Sequence, residues 1–125
     1  MTITLNHTIV PARDKRRSAE FLAWLLGLTA GEQTGPFVPV RINGELTFDF
    51  DDEDEFHAGH YAFLVDDALF DALLERLSGD TVPYGSGPEH GWDRSINHLG
   101  GGRGVYVQDP DGHSYELFTA VPVDG

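Results

Sequence analysis

Cysteine is absent from this 125-residue chain, so no disulfide framework can staple it. Long apolar runs are absent too. The opening "MTITLNHTIVPARDKRRSAE" has none of the length a signal peptide needs, and nowhere do about 18 apolar residues follow one another, as a membrane-spanning helix would require. A soluble, cytoplasmic protein is expected. Basic residues are scarce: 8 Lys and Arg stand against 21 Asp and Glu, a net charge of -13 that repels nucleic acid and anionic membrane surfaces. Small molecules remain as expected partners, with a cationic ligand favoured, although solubility alone would also select such a surface. Within these exclusions, 40% hydrophobic content over 125 residues suffices for one compact domain with its own core.

What is present is a pattern that occurs twice. "TITLNHTIV", residues 2–10, alternates Ile3, Leu5 and Ile9 as a strand does, and His7 falls on the same face. A helix is expected next: Asp14 is a candidate N-cap, Phe21, Leu22, Leu25 and Leu26 form an apolar stripe at helical spacing, and Gly27 is a stop. The same order returns with "GHYAFLV", residues 59–65, beginning at His60. Asp67 is the corresponding cap, Phe70, Leu73, Leu74 and Leu77 the stripe, and Gly79 the stop. Each aspartate follows its histidine by seven positions.

Short strands follow each helix. In the first half they are "PFVPVRI" (36–42) and "GELTFDF" (44–50), the latter with Leu46, Phe48 and Phe50 on one face and Glu45, Thr47 and Asp49 on the other. In the second they lie near "TVPYG" (81–85), at "RGVYVQ" (103–108) and at "HSYELFT" (113–119), the last two joined by the turn "DPDG". Each half is expected to hold one strand, one helix and three strands, with module one at about 1–55 and module two at about 57–125. The acidic run "DFDDEDEF" between them reads as solvated loop.

Glu116 is out of place in this scheme. It lies in a strand of aromatic and aliphatic residues, where an unpaired carboxylate costs several kcal/mol, so it needs a partner: a metal, or a base such as Arg103 or Arg94.

The tandem βαβββ unit, with His7 opening the first copy, His60 opening the second and Glu116 following "DPDGH", resembles the vicinal oxygen chelate superfamily, which includes glyoxalase I, extradiol dioxygenases, fosfomycin-resistance enzymes and bleomycin-resistance proteins. The resemblance spans essentially the whole chain and implies an α+β fold in which the two modules form a curved, incomplete eight-stranded barrel. It further implies that His7, His60 and Glu116 hold one divalent metal per site. Two imidazoles and a carboxylate leave coordination positions open and suit iron(II), manganese, nickel or zinc. "ELTFDF" is similar to the glyoxalase I strand that supplies a further glutamate, which maps onto Glu45, with Asp49 further along the same face. The resemblance also implies a homodimer whose sites take the first-copy histidine from one chain and the second-copy ligands from the other.

The long loop at residues 85–104 is read as functional, a candidate lid. Trp92, His98, Arg103 and Tyr106 are candidates for substrate contact or proton transfer, with His98 and Tyr106 assigned to catalysis and Trp92, Arg103, Phe48 and Asp49 to substrate binding. His113 has the opposite strand parity from Glu116 and is not expected to be a ligand. Two functions fit the family: an enzyme whose metal polarises two neighbouring substrate oxygens, and a protein that sequesters an aromatic, cationic antibiotic. The retained metal residues favour the first; the negative charge with Phe48, Trp92 and Tyr106 favours the second. No Lys and Arg cluster for a phosphonate and no glutathione site is recognisable.

Overall fold

Both apolar stripes form helices of 12 residues, α1 (Lys15–Leu26) and α2 (Asp67–Ser78). Asp14 caps α1 in extended conformation, its carboxylate accepting the Arg17 amide at 3.2 Å, and Gly27 closes it in the left-handed region at φ 72°. The cap of α2 is Asp66 rather than Asp67: Asp66 is the aspartate three residues before the Leu69 amide, and its carboxylate accepts that amide at 2.8 Å. Asp67 becomes the first helical residue, where a negative charge still favours the helix N-terminus.

The structure, a computed structural model, describes residues 1–122; the last three residues of the expected second module, 123–125, lie outside the described residues. The fold is mixed α+β, and the chain divides into two units at His57/Ala58. In the first unit β1 (His7–Ala12), β2 (Val38–Arg41) and β3 (Thr47–Asp52) form a sheet of order β1-β3-β2, with β1 parallel and β2 antiparallel to β3. Val10, Ala12, Val40, Phe48 and Phe50 turn one way and are buried with Leu22 and Leu25 of α1. The alternate residues, His7, Ile9, Thr47 and Asp49, share the other face.

In the second unit β4 (His60–Leu64), β5 (Tyr84–Gly85), β6 (Gly104–Gln108) and β7 (Ser114–Phe118) form a sheet of order β4-β7-β6-β5. Val105, Val107, Tyr115 and Leu117 are buried in it, and Phe70, Leu73 and Leu77 of α2 are fully buried. Again the alternate residues are left on the open face.

Two expectations change. Residues 2–6 are not part of β1, because β3 begins at Thr47 opposite His7 and offers almost no ladder before it; Ile3 and Leu5 are exposed at 89% and 65%. Among the described residues the two sheets hold seven strands where eight were expected, within the expected α+β fold. The missing strand of the first unit survives as a single bridge, Ala30 to Val40, at the place where β5 flanks β6 in the second. No helix among the described residues is long and apolar enough to cross a membrane.

Candidate metal and ligand site

The open face of the second sheet gathers the chemistry. Its register sets His60 opposite Ser114, Ala62 opposite Glu116 and Tyr106 opposite Glu116 on the other side. His60 Nε2 lies 3.0 Å from Glu116 Oε1. Glu116 is only 8% exposed, while His60 opens to solvent. Tyr106 donates to Glu116, and burial, the Glu116 charge and that hydrogen bond together push its phenol above the ordinary tyrosine value. Its ring meets His60 edge-on at 6.0 Å. A nearly buried carboxylate thus sits between an imidazole and a neutral phenol.

His60 and Tyr106 border a cavity of about 310 Å³ with Ser114, Trp92 and Pro88, and among the described residues no lysine or arginine lines it. Trp92 belongs to the long loop, which side-chain bonds of Asp93 and Arg94 brace. The Asp93 carboxylate accepts the Ser86 hydroxyl at 2.7 Å, the Ser86 amide at 2.9 Å and the Ser95 amide at 3.1 Å, and these bonds, the hydroxyl first, hold its pKa below the usual range. Arg94, at φ 57°, donates to the carbonyls of Leu77, Ser78 and Asp80 and lies 4.6 Å over the Tyr84 ring. Gly85 is required beneath it, since a Cβ there would meet the Gly91 carbonyl oxygen at 2.5 Å.

The first sheet repeats the pattern incompletely. His7 and Asp49 hold the positions that His60 and Glu116 hold in the second: His7 opposes Thr47 as His60 opposes Ser114, and Ile9 opposes Asp49 as Ala62 opposes Glu116. His7 is exposed, with Nδ1 2.9 Å from Asn6 Oδ1. Asp49, and not Glu45, therefore stands where the strand would supply a carboxylate. Glu45 precedes β3, exposed in a turn where its amide donates to Asn43 Oδ1 at 2.8 Å. Among the described residues no three His, Asp or Glu side chains come together as a metal-holding group.

Other candidates fall elsewhere. Phe48 is on the core side of β3 at 3% exposure, away from the open face. Arg103 bonds Asp71 at 2.7 Å and Asp67 at 2.9 Å and covers the Phe70 ring, so it fastens α2 and does not face the cavity; the Asp71 bond is the main reason its pKa is raised. The Arg94 and Arg103 guanidinium groups bond residues on or just after α2, and it is His60 that answers Glu116. His98 is exposed just before a single 3-10 turn at Leu99–Gly101, outside the cavity lining. His113 is buried and accepts the Gly59 amide at 2.8 Å, a structural role. Ser114 was missed, although its parity with Glu116, two residues on, places it on the same face.

A mixed α+β chain of two related sheet-and-helix units, with a histidine and carboxylate on the open face of one, defines a class that comparison identifies. The family model "Glyoxalase/Bleomycin resistance protein/Dioxygenase superfamily" matches residues 4–117, and the chain belongs to that superfamily. Among solved structures it is similar to "Oxidase ChaP-H2", at 44% identity and TM-score 0.91 over 98% of each chain. It is also similar to "Oxidase ChaP-H1", at 42% identity and TM-score 0.87 over 99% of this chain and 100% of that one. Among curated proteins it is 30% identical to "Glutathione transferase FosA" of Serratia marcescens, over 94% of this chain and 81% of that one.

Proposed function

We propose that the chain is a metal-dependent enzyme of the glyoxalase/dioxygenase type that takes a small ligand through two neighbouring oxygens. The observation that supports this most is the His60–Glu116 pair at 3.0 Å, a nitrogen and oxygen donor set whose carboxylate is nearly buried and whose imidazole opens into the cavity. Donors of that chemistry fit iron(II), manganese, nickel or zinc. Two are too few for a facial set. His7 is the third, supplied by the partner subunit of a homodimer: it lies on an exposed face of its sheet with Ile9, which is 52% exposed and follows the still more exposed Ile3 and Leu5, an apolar strip that a second chain would cover. Asp49 is the candidate fourth ligand.

A bound divalent ion would supply Lewis-acid polarisation of the two ligand oxygens. Tyr106, kept neutral beside Glu116, holds a proton at its phenolic oxygen on the cavity wall, where it can donate a hydrogen bond to a ligand oxygen that gains charge. Trp92 and Pro88 offer flat apolar surfaces to a ring. The likeness to two oxidases at above 40% identity favours an oxidative reaction over thiol transfer, and a cavity without lysine or arginine is ill suited to an anionic substrate. The sequestration of an aromatic cationic drug is the second reading, favoured by the same aromatic walls and the net charge of -13.

The test is elemental analysis of protein purified without added metal, beside the Glu116→Ala variant, followed by oxygen uptake with catechols. Near-stoichiometric metal lost in the variant, with uptake in the wild type, is expected. Undiminished metal in Glu116→Ala contradicts the ligand set, and tight drug binding without metal supports sequestration instead.

A further inference from the structure

The cavity beside His60 has a neighbour. A groove of about 460 Å³ lies along the same loop, lined by Ser86, Glu89, His90, Ile96, Asn97 and Leu99, and it shares Gly87, Pro88 and Tyr106 with the first cavity. Gly87 stands at the junction. A Cβ built there would lie 3.8 Å from His90 Cδ2 and 4.0 Å from Tyr106 Cε1, ordinary contact distances, so anything larger than a methyl group would fill the gap between those rings. Its backbone, at φ 167° and ψ 161°, is extended and open to any residue. The missing side chain is thus not required by the fold; its effect is to leave the two spaces joined.

The groove also has a chemical sign. Asn97 is occupied, its amide donating to the Ser86 carbonyl at 2.9 Å and its oxygen accepting the Leu99 amide at 3.1 Å, and the Ser86 hydroxyl is given to Asp93. That leaves Glu89 and His90 at the exposed rim, with no lysine or arginine in the lining among the described residues. The Glu89 charge is felt as far as Tyr106, whose pKa it helps raise after burial and Glu116.

We infer that Gly87 joins two subsites of one elongated ligand: an aromatic ring with neighbouring oxygens beside His60, Trp92 and Tyr106, and a hydrogen-bond-donating, non-anionic substituent, an amine or a hydroxylated chain, read by Glu89 in the adjoining groove. This rests on the reading of the His60 cavity as the ligand site. Gly87 sets ligand length, and Glu89 sets the charge of the far end.

The experiment is equilibrium binding to zinc-loaded protein, followed by Trp92 fluorescence in a Trp24→Phe background, with three probes: 2,3-dihydroxynaphthalene, its 6-aminomethyl derivative and its 6-sulfonate. The aminomethyl probe should bind roughly tenfold more tightly than the sulfonate, the size of one charge-assisted hydrogen bond at a partly exposed place. Gly87→Val, which closes the junction, should remove the aminomethyl advantage, so that this probe binds no more tightly than the parent diol does to the same variant. Glu89→Gln, which leaves the junction open, should erase the preference between amine and sulfonate. Equal affinity of all three probes for the unsubstituted loop, or an amine preference that survives both substitutions, overturns the second subsite while parent binding still supports the first. Failure of the parent diol to bind folded, zinc-loaded protein overturns the reading of the His60 cavity and this inference with it.

Discussion

The two units place a histidine and a carboxylate at the same register positions and finish them differently. In the second, Glu116 reaches His60, Tyr106 closes over it, and a braced loop brings Trp92 to the same face. In the first, the carboxylate is Asp49, one methylene shorter, His7 turns to Asn6, and that sheet lacks a strand matching β5. A repeat therefore sets where side chains point, while the length of one side chain and the presence of one loop decide whether they make a site.

The largest test of that difference is metal affinity. Glu116→Gln should weaken it by more than the roughly 10–100-fold typical of losing a group behind a ligand, whereas Asp49→Asn should stay within that range or below it. Equal losses, read by competition with a chelator of known affinity, would make the two carboxylates equivalent. Packing under the loops comes next. Gly85→Ala, with its Cβ against the Gly91 carbonyl, should lose about 1–3 kcal/mol in urea unfolding, while Gly44→Ala in the first unit, with open space around it, should change stability by less than about 0.5 kcal/mol. Arg103→Met removes two ion pairs and the cover over Phe70 and should lower the urea midpoint; Lys15→Met, which loses a 3.7 Å pair with Asp52 in the first unit, should lower it less.

The smallest effect is on pH. The Asp93 carboxyl lies below its usual value because the folded loop stabilises the charged form, so its bracing is present above the ordinary carboxylate range and is lost as pH falls through the lowered value. Trp92 fluorescence in a Trp24→Phe background should hold steady on acidification through about pH 4 and change only below it, and Asp93→Asn should lack that step. A change already complete above the ordinary range would remove Asp93 as the brace.

Helices, strand parity and every cap but the α2 N-cap, which is Asp66 and not Asp67, were legible because each depends on neighbours a few residues apart. Asp14, Gly27 and both apolar stripes act within one or two turns. Bringing Glu116 together with His60, on a different strand, came from the family resemblance and not from parity, which acts within one strand. The rest depends on register between distant strands. Choosing Asp49 over Glu45 requires knowing that β3 starts at Thr47, and Phe48 could be placed in the core only by the strand's orientation against α1. Arg103 was misplaced because its partners, Asp67 and Asp71, sit 36 and 32 residues away on a helix. The loop was singled out by its length, while the bracing bonds of Asp93 and Arg94 follow no local pattern that marks them.

The central claim is that the second unit holds the primary donors and receives His7 from the partner subunit, and subunit mixing tests it directly. A His7→Ala chain and a Glu116→Ala chain, each depleted of metal, are exchanged into heterodimers and the bound metal is counted. The account predicts recovery of about one metal per heterodimer, because closed two-fold symmetry leaves one of the two sites with every ligand intact. No recovery after verified exchange would contradict it.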